Sequence, residues 1–243
     1  MSQDKAKYRR VMLKVSGEGF CREGGQGLDA QEIRRIAEEI ADVTKLGAQV
    51  AVVVGGGNFL RGSTISAQAK VQEVTGHYMG MLATVINALA LQDTLEAMGI
   101  ETRVQSAIQV DRVCEKFIRR RAIRHLEKGR VVILASGTGN PFVTTDTCAA
   151  LRAIELGTDV LMKATKVQGV YSDDPVTNPE ATLYDSLSYN EVIDKRLKVM
   201  DVSAVDLCQQ NGVPIIVFDL KKPGNMRQVV IGQQPLGTLI SES

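Results

Sequence analysis

Two runs of aliphatic residues, Gln49–Val54 (QVAVVV) and 130–135 (RVVILA), constrain the fold more than any other feature of the chain. Both are apolar at successive positions rather than alternate ones, and both stop at glycine-containing loops, Gly55-Gly56-Gly57 and Ser136-Gly137-Thr138-Gly139. A strand that is apolar on both sides has to be covered on both faces, as in parallel sheets flanked by helices. Residues 9–15, 159–163, 214–218 and 237–240 read as further strands. Between them Asp29 caps a helix to about residue 46, with Ile33, Ile36 and Ile40 on one stripe and Gly47 ending it. Residues 76–98, 115–128 and 145–155 read as helices, with shorter ones at 188–195 and 203–211. Strands alternating with helices predict a three-layer α/β/α sandwich with a mostly parallel central sheet. No repeat or low-complexity linker divides the 243 residues, so a single domain with two lobes, about 1–158 and about 159–243, is expected.

Composition removes several classes of function. Twenty-nine basic against 28 acidic side chains leave a net charge of +1, without the basic excess of a nucleic-acid binder. Tryptophan is absent and aromatics make up 4%, which argues against a base-stacking platform. Cys21, Cys114, Cys148 and Cys208 are scattered singly, so neither a zinc site nor a disulfide framework is indicated. Residues 1–10 are polar and lack the apolar core of a signal peptide, and no uninterrupted apolar stretch reads as a membrane span. A cytoplasmic protein without a membrane partner is the expectation.

In open α/β sheets ligands bind beyond the carboxyl ends of the strands. Three glycine-containing loops fall there: Lys14-Val15-Ser16-Gly17-Glu18, Gly55-Gly56-Gly57-Asn58 and Gly137-Thr138-Gly139-Asn140. Backbone N–H groups in such loops, together with helix N-termini, cradle phosphate. Each loop alone is more often just a tight turn; three on one edge suggest a ligand with several phosphates. Residues 57–64 have the glycine spacing of a P-loop, but Ser63 stands where its lysine belongs. No G-x-G-x-x-G follows the first strand.

Lys14 ends a buried strand, where its charge either snorkels to the rim or meets an anion. Lys163 ends a strand in the same way. Arg61 reads either as a phosphate clamp or as a solvated arginine. Asp146, in Thr144-Thr145-Asp146, is a first-turn acid or a chemical group, and Asp173-Asp174-Pro175 is an ordinary turn sequence. Asp201 has no distinctive local signal and by itself reads as surface. The helix at 76–98, apolar around most of its circumference, belongs in the core or at a subunit contact. The basic run at 117–125 reads as a solvated face.

The segments LKVSGE, VVVGGGNFLRG, MGMLATVINALALQD, GTGNPFVTTDT, LMKATKVQGVYSDDP and LKVMD resemble the bacterial UMP kinase family, of the amino-acid kinase fold, in the same order and over nearly the whole chain. The resemblance, not periodicity or spacing, implies transfer of the γ-phosphoryl group of ATP to UMP, with Mg²⁺, in pyrimidine nucleotide synthesis. It implies that Lys14, Val15, Ser16 and Gly17, with Gly57 and Arg61, hold the ATP phosphates, and that Thr165, Tyr171 and Asp174 lie on the adenosine side. Gly56 and the stretch Thr138, Gly139, Asn140, Pro141, Phe142, Val143, Thr144 and Thr145 would hold UMP. Asp146 would organise the phosphate-binding cations or a metal, and with Lys14, Lys163 and Asp201 would form the catalytic set. The resemblance also implies a homohexamer, with GTP as activator and UTP as inhibitor, Arg103 and Arg130 being candidates for that regulation. One position departs from the family. An aspartate that binds the UMP ribose is replaced by His77, whose neutral ring accepts one hydrogen bond where a carboxylate accepts two. A weaker, pH-dependent hold on the ribose is expected.

Overall fold

In the computed structural model the two aliphatic runs become neighbouring parallel strands, β2 (Gln49–Val54) and β5 (Val131–Ala135), in register at Val53 and Leu134. The structure describes residues 5–60, 70–197, 199–232 and 236–242. Arg61, expected to contact ATP, lies outside the described residues. On the other side of β2 come β1 (Arg10–Val15), β6 (Val160–Thr165) and β8 (Ile215–Asp219). β3 (Thr102–Ser106) and the two-residue β4 (Glu115–Lys116) extend the opposite edge. With β7 (Ser186–Ser188) and β9 (Thr238–Ser241) the described residues form a nine-stranded sheet, ordered β4-β3-β5-β2-β1-β6-β8-β9-β7. Every pairing is parallel except β8 with β9.

The successive apolar residues divide between two cores, which is why these strands do not alternate with polar positions. Val50, Val52 and Val54 pack in one core with Ile33, Ile36 and Ile40 of α1 (Ala30–Thr44) and Leu91 and Leu95 of α2 (Glu73–Ala97). Ala51 and Val53 pack in the other, with Leu126 of α3 (Arg119–Glu127), Cys148 and Ala149 of α4 (Thr145–Leu156), and Val205 of α6 (Val202–Gln210). Asp29 caps α1 by accepting from the N–H groups of Gln31 and Glu32. Ser188 and Glu191 form a capping box at the start of α5 (Tyr189–Asp194). The last helix, α7 (Asn225–Ile231), packs on the first core through Met226, Val229 and Val230.

The structure corrects four sequence expectations. The helix expected from residue 115 begins at Arg119, because Glu115 and Lys116 extend beside Gln105 and Ser106 and Ile118 keeps an extended backbone. The strands β3 and β7 were not anticipated; β3 buries Thr102, Gln105 and Ser106, so its interior is partly polar. The helix α2 starts about one turn ahead of Gly76. By length and composition α2 is also apolar enough to cross a membrane, with a mean hydropathy of 1.3. Here Ala88, Leu91 and Leu95 carry it into the core, while Val74, Tyr78, Leu82 and Ile86 form an exposed stripe four residues apart.

Candidate active site

Because β1, β2, β5, β6 and β8 run parallel, their carboxyl ends share one rim. Val15 is level with Val54, Lys14 with Lys163, and Thr165 with Asp219. The three glycine loops therefore gather on that rim, and the first two pack too closely for side chains at Gly17, Gly55 and Gly56. A Cβ on Gly17 would fall on the Gly57 amide nitrogen, and one on Gly56 would lie 2.6 Å from the Gly80 carbonyl oxygen. A Cβ on Gly57, by contrast, would meet open space.

Beyond the loops lies a cleft of about 450 Å³. It brings together Ser16, Gly17, Gly56, Gly57, His77, Thr138, Asn140, Val143, Thr144 and Thr145. Gly139, Pro141 and Phe142 belong to the same loop but do not line the cleft. Gly139 packs towards Ala107, and Phe142 is 62% exposed. The Phe142 ring stands 4.7 Å from that of His77. The Nε2 atom of His77 is buried without a hydrogen-bond partner, Glu73 Oε1 being 3.8 Å away.

Lys14 and Lys163 meet at one carboxylate. Asp146 lies in the first turn of α4, behind the cap that Thr144 makes with the Thr147 N–H. Lys14 Nζ lies 2.7 Å from Asp146 Oδ1, an ion pair without the alignment of a hydrogen bond. Lys163 Nζ donates to Asp146 Oδ2 at 2.7 Å and also to the Val199 carbonyl. Burial pushes the Asp146 carboxyl up, but the two lysines outweigh burial and hold it below the ordinary carboxylate value. Burial and the Lys14 charge push the Lys163 ammonium down, against the pull of Asp146. Two cations and one anion leave a surplus positive charge at the rim, beside the positive end of α4, where an anion is favoured.

Asp201 touches neither lysine. It caps α6 through the Ala204 N–H and accepts from the hydroxyls of Thr144 and Thr147, so it anchors the 138–145 loop. Its reading as a surface acid is corrected; an Asp directly before a helix is an N-cap signature that would have found half of this role. Ser136 was missed altogether. It is buried in a left-handed conformation, φ 62°, held by the Thr84 hydroxyl on its N–H and by the Ser106 hydroxyl at 2.8 Å. Such a conformation costs a non-glycine residue about 1–2 kcal/mol, so the loop's path is imposed by its neighbours.

Thr165, Tyr171 and Asp174 line a separate cavity of about 490 Å³, with Gly169, Pro175, Lys195 and Val199. Asp173 and Asp174 form the expected turn, their carboxylates accepting from the Asp174 and Val176 N–H groups. A third cavity, about 360 Å³, is lined by Lys14, Val15, Lys163 and Lys166; it shares Ser16 and Glu18 with the first cleft and Thr165 and Val167 with the second. Arg103 and Arg130 sit at the amino ends of β3 and β5, away from this rim, paired with Glu96 at 3.3 Å and Glu101 at 2.7 Å. Among the described residues no group of three or more His, Cys, Asp or Glu is arranged to hold a metal ion.

Residues 9–219 match the model of the amino acid kinase family. The chain is 58% identical over 228 residues to the uridylate kinase of Paramagnetospirillum magneticum, covering 94% of this chain and 95% of that one. It is 54% identical over 239 residues to the chloroplastic uridylate kinase PUMPKIN of Arabidopsis thaliana, covering 98% of this chain and 70% of that one. Among solved structures, UMP kinase from Bacillus anthracis superposes with a TM-score of 0.94 at 37% identity, covering 97% of each chain.

Proposed function

The chain belongs to the amino acid kinase family, and from that premise we propose how its cleft carries out phosphorylation of UMP to UDP. ATP is the donor. UMP occupies the cleft of Gly56, His77 and the 138–145 loop, and the adenosine of ATP occupies the cavity of Thr165, Tyr171 and Asp174. The ATP phosphates run over residues 14–17 and Gly57, with Arg61 as a further cation. The observation that supports this most is that Lys14 and Lys163 line a third cavity that shares two residues with each of the other two, Ser16 and Glu18 with one and Thr165 and Val167 with the other. Among the described residues the acceptor cleft is lined by residues up to Thr145 and the adenosine cavity by residues from Thr165, in keeping with an acceptor lobe of about 1–158 and a donor lobe of about 159–243.

Phosphoryl transfer needs little covalent help from protein; it needs two phosphate ends in line and stabilisation of the charge on the moving group. Lys14 and Lys163 supply fixed positive charge, and backbone amides of the glycine loops and the α4 N-terminus supply donors. Asp146 orders the two lysines, and Asp201 orders the loop that carries Thr144. Charge on the ATP phosphates beyond what the lysines meet would be neutralised by Mg²⁺ bound with the nucleotide. Both Asp146 oxygens face lysines, so Asp146 does not fit as a direct metal ligand, and no step is assigned to the metal.

The enzyme serves pyrimidine nucleotide synthesis in the cytoplasm and assembles as a homohexamer. The exposed apolar stripe of Val74, Tyr78, Leu82 and Ile86 supports self-association. Activation by GTP and inhibition by UTP follow from the resemblance to the family. An ADP-release assay against UMP, CMP, dUMP, glutamate-type and aspartate substrates tests the reading. UMP is expected to be consumed. Turnover of a carboxylate substrate with UMP inert would overturn the acceptor, and nucleotide binding without ADP release would make the chain a sensor.

A further inference from the structure

Behind the acceptor cleft two asparagines form a closed pair. Asn58 follows the glycine triplet and Asn87 lies in the middle of α2; they are 2% and 0% exposed. Asn58 Nδ2 donates to Asn87 Oδ1 at 2.9 Å, and Asn87 Nδ2 donates back to Asn58 Oδ1 at 2.8 Å. The second N–H of each amide is also committed, from Asn58 to the Gly27 carbonyl and from Asn87 to the Gly55 carbonyl, both at 2.7 Å. All four amide hydrogens are therefore used. The Asn58 carbonyl accepts from the Gly27 N–H at 2.9 Å, and a Cβ on Gly17 would meet Asn58 Oδ1 at 2.8 Å. One amide pair thus joins the β1 loop, the Gly27 turn, the glycine triplet and α2.

Two apolar residues of the same size would fill this space but would leave the Gly27 and Gly55 carbonyls without these donors. Asparagine is a weak helix former in the position Asn87 occupies. What the pair adds is direction, since a satisfied amide pair allows one relative placement of the segments it joins. The segment it places is Gly55–Gly57, whose last residue opens onto the cleft. Neither asparagine lines that cleft.

We infer that Asn87, acting through Asn58 and the Gly55 carbonyl, is a positioning residue for phosphoryl transfer, holding the Gly56–Gly57 backbone where the donor and acceptor phosphates meet. The inference rests on the reading of the cleft as a UMP phosphorylation site. In-line transfer is sensitive to alignment, and a misplacement of about 1 Å costs on the order of 10²-fold in rate. Substrate binding, spread over two larger cavities, should feel such a shift much less. The signature is a fall in kcat at nearly constant KM.

The test is steady-state UDP formation from UMP and ATP by the full chain and by Asn87→Asp, Asn87→Ala, Asn58→Ala and Asn58→Ala/Asn87→Ala, with Tm and calorimetric UMP binding for each. Asn87→Asp keeps an acceptor for Asn58 but cannot donate to Gly55. The single variants are expected to lose about 10–100-fold in kcat with both KM values and UMP binding within about threefold. The double variant is expected to be no worse than the worse single, because the two amides act as one unit. Full kcat with a lowered Tm, a rise in KM at constant kcat, additive losses, or failure of every variant to fold would each overturn the inference. Absence of UDP formation by the wild-type chain would instead indict the functional reading itself.

Discussion

Lys14 and Lys163 stand level with one another on adjacent parallel strands, and the Asp146 carboxylate receives both, one ammonium at each oxygen. Two like charges side by side at the end of an apolar sheet would repel and would each lose hydration. One carboxylate removes most of that penalty and fixes both ammonium groups in place. The outcome is a rigid cationic site set up by strand order and the first turn of one helix.

Removing the Asp146 charge should therefore damage catalysis and stability together. Asp146→Asn is expected to lower kcat by about 10²-fold or more, comparable with losing a preorganised electrostatic contact. It leaves two largely buried lysines unpaired, which costs roughly 3–5 kcal/mol. Steady-state kinetics and urea unfolding check both; a stable, fully active variant would refute the role.

Acid should separate two carboxylates that respond in opposite senses. Burial pushes Asp146 up, but Lys14 and Lys163 hold it below the ordinary 3.8. Its stabilising contribution is complete above 3.8 and is lost as pH falls through the lower folded value. For Glu39, burial outweighs the N–H groups of Gly224 and Met226 and raises the carboxyl above 4.5. Its contribution is present below 4.5 and is lost as pH rises through the raised value. Urea unfolding from about pH 2 to about pH 6 should show the gap between wild type and Asp146→Asn closing below 3.8. Over the same range, wild type should gain on Glu39→Gln as pH falls. Gaps independent of pH would contradict both assignments.

Asp201 should act mainly on the acceptor, its pull on the Lys163 charge being the smallest of those that Lys163 feels. Asp201→Ala removes a helix cap, worth about 1 kcal/mol, and frees Thr144 and Thr147. A several-fold rise in KM for UMP is expected. Asp201→Asn should restore the cap but only part of the UMP affinity, because one oxygen cannot serve every donor. Equal UMP affinity in all three proteins, measured by calorimetry, would show that the Thr144 contact carries nothing.

His77 should contribute directly to UMP binding. Its Nε2 is buried without a hydrogen-bond partner beside the cleft, where a neutral ring can accept one hydroxyl hydrogen bond. UMP affinity, measured by calorimetry, is expected to weaken several-fold in His77→Ala, about the worth of one hydrogen bond. Unchanged affinity in His77→Ala contradicts this.

The sequence made the central strands and the glycine loops legible because both obey local rules. Gln49–Val54 is buried on both faces and looks it, and Lys14 is conspicuous as a charge closing an apolar strand. Thr102–Ser106 was hidden because hydrogen bonds, not apolar contact, satisfy much of its interior: Ser106 bonds Ser136 and Gln105 bonds Glu115. A strand of two residues such as Glu115–Lys116 leaves no periodicity at all. The link from Asp146 to both lysines was beyond local reading because the crossover topology brings β1 and β6 together. The contacts of Asp201 with Thr144 and the Asn58–Asn87 pair are likewise products of the folded chain.

The most direct measurement is the rate of UDP formation from saturating UMP and ATP by Lys14→Ala. The account predicts a loss of about 10²–10³-fold in kcat, the scale of one preorganised charge contact at the transferring phosphate. Near-normal turnover would mean that the strand-end lysine and its carboxylate are a structural ion pair, and that the phosphoryl group moves somewhere else.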